Sequence, residues 1–121
     1  MTAAVLAILA GVAHVGFFVL EALLWRRRGV QRLFGARDGA AAQAMAVPML
    51  NLGFYNLFLG IGAIVGAALS LAGTTDALLV YACAFMVGAA LVLVARSRAM
   101  WRGALVQGAL PALALIAVAT L

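Results

Sequence analysis

Two residues seven positions apart, His14 and Glu21, are the only side chains of clear acid and base character inside the apolar stretches of this chain. An ionisable side chain within a membrane is costly, so it marks a functional site by default. Seven residues of α-helix place two side chains on nearly the same face, about 10 Å apart along the axis. Such a pair can exchange protons with a bound molecule, as general acids and bases do. We therefore take His14 and Glu21 as candidate catalytic residues.

The composition requires a membrane around these residues. Of the 121 residues, 69% are hydrophobic and only 9% are charged, which excludes a compact water-soluble globule. Four apolar runs approach or exceed the roughly 20 residues that a helix needs to cross a bilayer. They cover about residues 3–25, 44–71, 77–95 and 104–121. The sequence therefore predicts one all-α membrane domain over residues 1–121, a four-helix transmembrane bundle.

The arginines predict the orientation of this bundle. All eight lie in the first and third loops, whereas the second loop, around Asp76, contains no basic residue. The positive-inside rule places the arginine-rich loops in the cytoplasm and both termini outside. The first run is expected to stay attached, because basic residues follow it and do not precede it. Nucleic-acid binding is not expected, since no soluble domain presents the arginines.

Local patterns predict how the loops are built. In the first loop, Val30 and Phe34 have helical spacing, which suits either a short helix at the inner membrane interface or a plain basic loop. Before the third span, Asp76 is expected to be the N-cap residue of the helix. Trp25 and Trp101 suit the aromatic belt at the inner interface.

The second span, NLGFYNLFLGIGAIVG from Asn51 to Gly66, carries polar and small residues on two faces. At 100° per residue, Tyr55 shares one face with Asn51, and Asn56 belongs to a second face about 120 to 140° away. Small residues on both faces let two helices approach closely, which predicts that this span is the central helix. Gly62 and Gly66 form a GxxxG pair, which favours packing within the bundle over the alternative of a homodimer seam.

The fourth span adds another polar group. Pro111 has no backbone N–H, so the carbonyl of Gln107 loses its usual helical partner close to its own amide side chain. Inside a membrane such groups must find partners in protein or water. The alternative is a kinked helix whose neighbours satisfy the freed groups.

Depth in the membrane predicts that these polar residues meet. Counting 1.5 Å per residue from the centre of each span sorts them into two layers about 8 to 11 Å apart. The layer near mid-membrane contains His14, Tyr55, Asn56 and Pro111, and the layer nearer the cytoplasm contains Glu21, Asn51 and Gln107. We therefore predict one site, in which Asn51, Tyr55, Asn56 and Gln107 bind a ligand beside the catalytic pair. In the alternative, the amides only bridge helices and Glu21 reaches toward arginines of the first loop.

Three segments together resemble a known family. HVGFFVLEALLW, NLGFYNLFLG and VQGALPALAL, in the first, second and fourth spans, are similar in order and spacing to DUF1304, a bacterial four-helix membrane family of unknown function. The family usually has a glutamine where this chain has Leu52, so one polar contact that the resemblance implies is absent. The resemblance implies a multi-pass protein of the bacterial inner (plasma) membrane, and no activity. The matching positions are His14, Glu21, Asn51, Gly53, Tyr55, Asn56, Gln107 and Pro111.

Several familiar chemistries lack their residues. The chain has no CxxC pair and no histidine cluster, so a zinc site or a dithiol relay has no ligands, and no metal is expected. Cys83 is alone in the third span and suits a small core residue better than a nucleophile. A haem would need His14 as its axial ligand, and one histidine in an ordinary helix is weak support for it. The sequence therefore names no cofactor.

Three functional hypotheses remain. In the first, the site binds a small lipophilic molecule from the lipid and performs acid/base chemistry on it. In the second, the same residues form the proton-coupled site of a small transporter, for which the strong arginine bias permits only a parallel homodimer. In the third, the protein is a structural or accessory membrane subunit whose partners are lipids and other proteins. We rank them in that order.

Overall fold

The computed structural model describes residues 1–121 and consists of helices joined by short turns. Four helical segments are long and apolar enough to cross a membrane, and few of their large hydrophobic side chains are fully buried, so lipid must cover the rest. The predicted all-α, multi-pass membrane bundle is thereby confirmed. Its helices are α1 (Thr2–Phe18), extended by a π-helical turn (Val19–Leu23), α2 (Arg28–Leu33), α3 (Gly39–Leu71), α4 (Ala77–Arg96) and α5 (Trp101–Thr120), which follows a 3-10 turn (Arg98–Met100).

The four long helices form a square. Both α3 and α5 pack against α1 and α4, while the diagonal pairs hardly touch. The prediction that the second span is the central helix is therefore wrong, because every long helix has two neighbours and none lies in the middle. Four crossings bring both chain ends to one end of the bundle, called here the terminal end. The opposite end carries the arginine-rich loops and is called the arginine end.

Glycines set how closely the helices approach. A methyl group built on Gly60 of α3 would lie 2.6 Å from the carbonyl oxygen of Gly11 in α1. One built on Gly66 would lie 2.5 Å from the backbone nitrogen of Leu79 in α4. Both distances are too short for any Cβ, so these crossings require glycine. Gly66 thus packs within the bundle, whereas its GxxxG partner Gly62 has open space beside it.

Turn chemistry fixes the helix ends. Gly35 and Gly73 have positive φ angles of 85° and 68°, and the backbone bonds around them form Schellman caps on α2 and α3. At the start of α3, the Asp38 side chain accepts a hydrogen bond from the Ala41 N–H at 2.8 Å. This cap explains why α3 begins at Gly39 rather than near residue 44.

One prediction about the helix ends needs correction. Asp76 occupies the N-cap position of α4, but its side chain caps nothing, and Thr75 Oγ1 accepts from the Ala77 N–H at 3.1 Å instead. Trp25 is buried, and its Nε1–H donates to the Ala42 carbonyl at 3.1 Å. Its place in the inner aromatic belt stays a prediction. Of the two alternatives for the first loop, the short helix is present, as α2, and Phe34 at its end packs against Trp25.

Candidate functional site

Glu21 lies in the π-helical turn that ends the first span. The Leu24 N–H donates to the Val19 carbonyl at 2.9 Å, five residues back instead of four. Such turns are rare and frequently occur at functional sites. Glu21 is only 4% exposed, and a methyl group built on Gly53 of α3 would lie 3.2 Å from its Cβ. Glycine at position 53 therefore gives the Glu21 backbone room to lie close against α3.

The Glu21 carboxylate is held by an asparagine from α3. Asn56 Nδ2 donates to Glu21 Oε2 at 2.7 Å. Helical side chains lean toward the N-terminus of their own helix, and α1 and α3 run in opposite directions. Glu21 therefore leans away from the arginine end while Asn56 leans toward it, and the two meet. Counting backbone rise alone misses this lean, which is why the sequence analysis assigned them to different layers.

His14 lies on the same helix and is 2% exposed. Its Nδ1 lies 2.9 Å from the Ala10 carbonyl oxygen, which can only accept a hydrogen bond. Nδ1 thus carries a proton, and in the neutral ring Nε2 is left as an acceptor. The ring packs edge-on against Phe17, with centroids 5.1 Å apart. These two contacts hold the imidazole in one orientation.

The remaining polar atoms of this pair face a cavity. Glu21 Oε1 and His14 Nε2 make no hydrogen bond within the chain. Every fully buried side-chain nitrogen or oxygen in the protein has a hydrogen-bond partner. Since these two atoms have none, they are not fully buried. Both residues line the same cavity, so these two atoms reach its surface and are available to a bound molecule.

The main cavity has a volume of about 650 Å³ and lies between α3 and α4. Glu21 and His14 from α1 and Gln107 from α5 contribute to its inner wall. Its mouth consists of aromatic side chains on the outer surface of the bundle, so it opens toward lipid. The α3 and α4 residues that line it are Leu52, Tyr55, Asn56, Phe58, Leu59, Gly62, Leu78, Tyr81, Ala82, Phe85 and Ala89.

A second cavity of about 460 Å³ continues toward the arginine end. Four residues line both cavities and form the neck between them. The neck consists of Glu21, Leu52, Ala89 and Gln107. Beyond it, the second cavity is walled mainly by apolar side chains, among them Phe34 and Met100. Glu21 therefore borders both spaces.

Most of the residues predicted for the site lie around the main cavity. His14, Glu21, Tyr55, Asn56 and Gln107 line it, although Tyr55 is mostly exposed at the mouth. Their catalytic and binding roles remain predictions. Pro111 lies inside α5 and is buried, one turn from Gln107.

Asn51 is the exception among the predicted residues. It is exposed and does not line the cavity. Gly53 faces the helix that carries Glu21. Asn51 lies two residues earlier and is turned by about 200°, so it points away from Glu21. The predicted layer of Glu21, Asn51 and Gln107 is therefore not formed, and the carboxylate pairs with Asn56 instead.

The sequence analysis missed the α4 wall of the cavity. Tyr81 and Phe85 are four residues apart, on the same face as Ala89, and both rings are exposed. The signal was a pair of aromatic residues at helical spacing in an otherwise aliphatic span. Cys83, as expected, is a buried core residue.

The electrostatics of the site are simple. No arginine lines the main cavity, and the hydrogen-bond partner of the Glu21 carboxylate is the neutral amide of Asn56. The alternative in which Glu21 reaches toward the loop arginines is thereby contradicted. No three His, Cys, Asp or Glu side chains lie close enough together to hold a metal ion. The site is a carboxyl group without a cationic partner, in mainly apolar surroundings.

Comparison with known proteins addresses the family and leaves the activity open. No curated protein and no solved structure gives a significant match. The family described as protein of unknown function, DUF1304, matches residues 8–119 and so includes every residue of the site. The resemblance noted in the three segments is confirmed over nearly the whole sequence, and the chain belongs to the DUF1304 family.

Proposed function

We propose that this protein binds a small lipophilic molecule in the cavity between α3 and α4 and exchanges a proton with it through Glu21 and His14. The observation that carries the proposal is the Glu21 carboxyl group, buried beside His14, bonded only to Asn56, with one oxygen on the cavity wall. A group so costly to place in a membrane is retained for a function. We further propose that the protein lies in the bacterial inner membrane with both termini outside.

The position of the mouth supports a ligand that comes from the lipid. Tyr55, Phe58, Tyr81 and Phe85 line the cavity and are exposed on the bundle surface. An apolar molecule can pass between these rings without crossing water. Ligand sites are mostly apolar and contain a few polar groups that point at the ligand. In this cavity the inner wall provides such a group, the carboxyl of Glu21.

The arrangement of polar atoms supports acid/base chemistry. Glu21 Oε1 and His14 Nε2 face one space, where a bound molecule can contact both. The Asn56 bond fixes the carboxylate, and the Ala10 bond fixes the imidazole tautomer. Fixed donors and acceptors at a reacting group are what general acid and base catalysis needs.

Transport is the second candidate, and one observation favours it. Glu21 borders both the main cavity and the cavity that continues toward the arginine end. A residue that lines both cavities can bind a solute or a proton first from one cavity and then from the other. Uptake of a lipophilic solute into proteoliposomes, driven by an imposed pH gradient and lost in Glu21→Gln, would favour transport over catalysis. Two further proposals are an accessory role, in which the protein contacts membrane lipids, and assembly as a homodimer.

Photoaffinity labelling tests the proposal. Diazirine probes with an apolar body and either an alcohol or an amine end are irradiated with the protein in lipid nanodiscs. Labelled peptides should come from the two walls of the cavity, in α3 and α4. Gly62 has room for a side chain that projects into the cavity, so Gly62→Leu should reduce this labelling.

Gly88→Leu is the matched control. Gly88 is an exposed glycine of α4 with open space beside it, and it does not line the main cavity. Labelling should remain unchanged in this variant. Labels spread evenly over the lipid-facing surface, or equal labelling in Gly62→Leu and wild type with both probes, would contradict a binding cavity.

A further inference from the structure

We propose that the ligand is a lipophilic amine, bound as its ammonium ion with its N–H groups on Glu21. This inference deepens the proposed function and rests on it, because it assigns a chemical class to the molecule in the same cavity. It stands on the hydrogen-bonding character of the free atoms, the absence of a cationic partner and the aromatic mouth.

The free polar atoms on the inner wall are acceptors. Glu21 Oε1 is a carboxylate oxygen, and His14 Nε2 is an acceptor because the ring proton is on Nδ1. Asn56 uses its amide nitrogen to bind Glu21, which turns the amide so that its oxygen remains the free acceptor. The oxygens of Glu21 and Asn56 belong to bonded neighbours and can accept from two N–H groups of one protonated amine. His14 Nε2 is a further acceptor along the same cavity, for another part of the ligand.

The charge of the site also lacks a partner within the chain. Glu21 is 4% exposed, and no arginine lines the cavity. A buried carboxylate with only an amide bond is poorly compensated, and removal from water costs several kcal/mol. A ligand cation would complete an ion pair there. An anionic ligand would meet the carboxylate without any compensating cation, so a fatty acid is a poor fit.

The aromatic mouth suits the same class of ligand. Tyr55, Tyr81 and Phe85 line the cavity, and none of these rings stacks on another aromatic ring of the chain. All three side chains are more than half exposed, so a ligand can reach them. Aromatic faces attract ammonium groups and also pack against apolar bodies. An amine with an aliphatic or aryl body therefore finds contacts along its whole length.

Charge balance explains how such a molecule enters. A neutral amine dissolves in lipid and passes the aromatic mouth without carrying charge. When Glu21 holds a proton, the amine nitrogen takes it through its lone pair, the O–H bond breaks and an N–H bond forms. The products are a carboxylate and an ammonium ion in contact, and the pair has no net charge. The reverse transfer releases the neutral amine to the lipid.

Equilibrium binding of a matched set of probes tests this inference. Phenylbutylamine, phenylbutanol and phenylbutyltrimethylammonium are titrated into the protein in nanodiscs, with empty nanodiscs as the background. The amine should bind best, because the alcohol has no charge and the quaternary ion has no N–H. Loss of a hydrogen bond to a charged group should weaken amine binding about tenfold or more in Glu21→Gln. The alcohol should bind equally to both proteins.

Asp38→Asn is the control for the loss of a carboxylate. Asp38 caps α3 at the surface, asparagine caps equally well, and the residue does not line the cavity. Amine binding should not change in this variant. Equal binding of amine and alcohol to the wild-type protein would overturn the amine assignment and leave the proposed function intact. Absence of saturable binding by all three probes would count against both.

Discussion

The two faces of α3 form different interfaces. Toward α1, glycines bring the backbones into contact at Gly60 and again two turns away at Gly53. Toward α4, a glycine brings the backbones into contact only near the terminal end, where Gly66 meets Leu79. Nearer the arginine end, the α4 side carries larger residues such as Tyr55, and the cavity lies there instead. The spacing of glycines thus decides where the bundle closes and where it leaves room for a ligand.

The largest effect is expected from a side chain in the closed interface. In Gly60→Leu the Cβ would lie 2.6 Å from the Gly11 carbonyl oxygen, a backbone atom that cannot move aside. We expect α1 and α3 to separate, with a loss of stability of about 3 kcal/mol or more, since overpacking typically costs 1 to 3 kcal/mol even when side chains can shift. Thermal unfolding in mild detergent measures it.

Gly62→Leu is the matched substitution on the open face. It should leave the midpoint of unfolding near the wild-type value, because nothing lies within 4 Å of a Cβ at that position. Equal destabilisation by the two substitutions would mean that the cavity is not open space and that the contrast between the faces of α3 is wrong.

A smaller loss of stability is expected when the hydrogen bond between Glu21 and Asn56, which joins the first span to α3, is removed. Glu21→Leu leaves the Asn56 amide without its partner, and an unsatisfied buried group costs about 1 to 3 kcal/mol. In a double-mutant cycle with Asn56→Leu, the two losses should therefore not add. The readout is the free energy of unfolding in detergent.

Asn51→Leu provides the comparison for that cycle. Asn51 is exposed and lies off the cavity, so its loss should add to that of Glu21→Leu. Coupling between Glu21 and Asn51, with additivity between Glu21 and Asn56, would restore the layer predicted from the sequence and contradict the observed bond.

Acidification should weaken binding of the amine probe. Phenylbutylamine remains charged from about pH 5 to about pH 9, because alkylamines resemble lysine. Over that range, protonation of Glu21 removes the negative charge that holds the ammonium, so affinity falls as pH falls. The titratable groups that face the same cavity are His14, Tyr55 and Tyr81, and a protonated His14 would act in the same direction.

Two variants separate these contributions. Glu21→Gln should bind the amine weakly with most of the pH dependence lost, whereas His14→Asn should bind less tightly and keep it. A wild-type affinity that stays constant over the whole range would remove the proton-handling role from both residues.

The smallest effect on the protein is expected from single surface cysteines, which test which end of the bundle faces the cytoplasm. An introduced cysteine at Thr74, in the turn at the terminal end, should react with an impermeant reagent in intact cells. One at Arg32, in α2 at the arginine end, should be protected until the membrane is opened. The native Cys83 is buried and should contribute little background. The opposite pattern would invert the predicted topology.

The fold could be predicted well from the sequence because the lipid environment dictates the helical structure of each span. A run of about 20 apolar residues in a membrane must form a helix, so the number and approximate limits of the helices follow. The arrangement of neighbours did not follow, because small residues are too abundant here to indicate which glycine meets which helix. Gly60 and Gly62 belong to different faces of the span, and the sequence does not indicate that only Gly60 lies at a close crossing.

The site was predicted in part for a related reason. Polar residues in apolar helices stand out, so Glu21, Asn56 and Gln107 could be named from the sequence. Their pairing depended on a π-helical turn and on the lean of antiparallel side chains, which regular helical counting ignores. Asn51 was included because it shares the depth of Glu21 and the helix face of Tyr55, but of Asn51 and Tyr55 only the tyrosine lines the cavity. The aromatic wall on α4 was missed because it carries no unusual polar residue.

The most direct test of the central claim is the identity of the molecule that the protein retains. The protein is purified in mild detergent, its organic extract is analysed by mass spectrometry, and the retained molecules are compared among wild type, Gly62→Leu and Gly88→Leu. The proposed function predicts one lipophilic species, retained in stoichiometric amount by wild type and Gly88→Leu and depleted in Gly62→Leu. An extract that contains only bulk lipids, in the same proportions for all three proteins, would contradict a ligand site in this cavity.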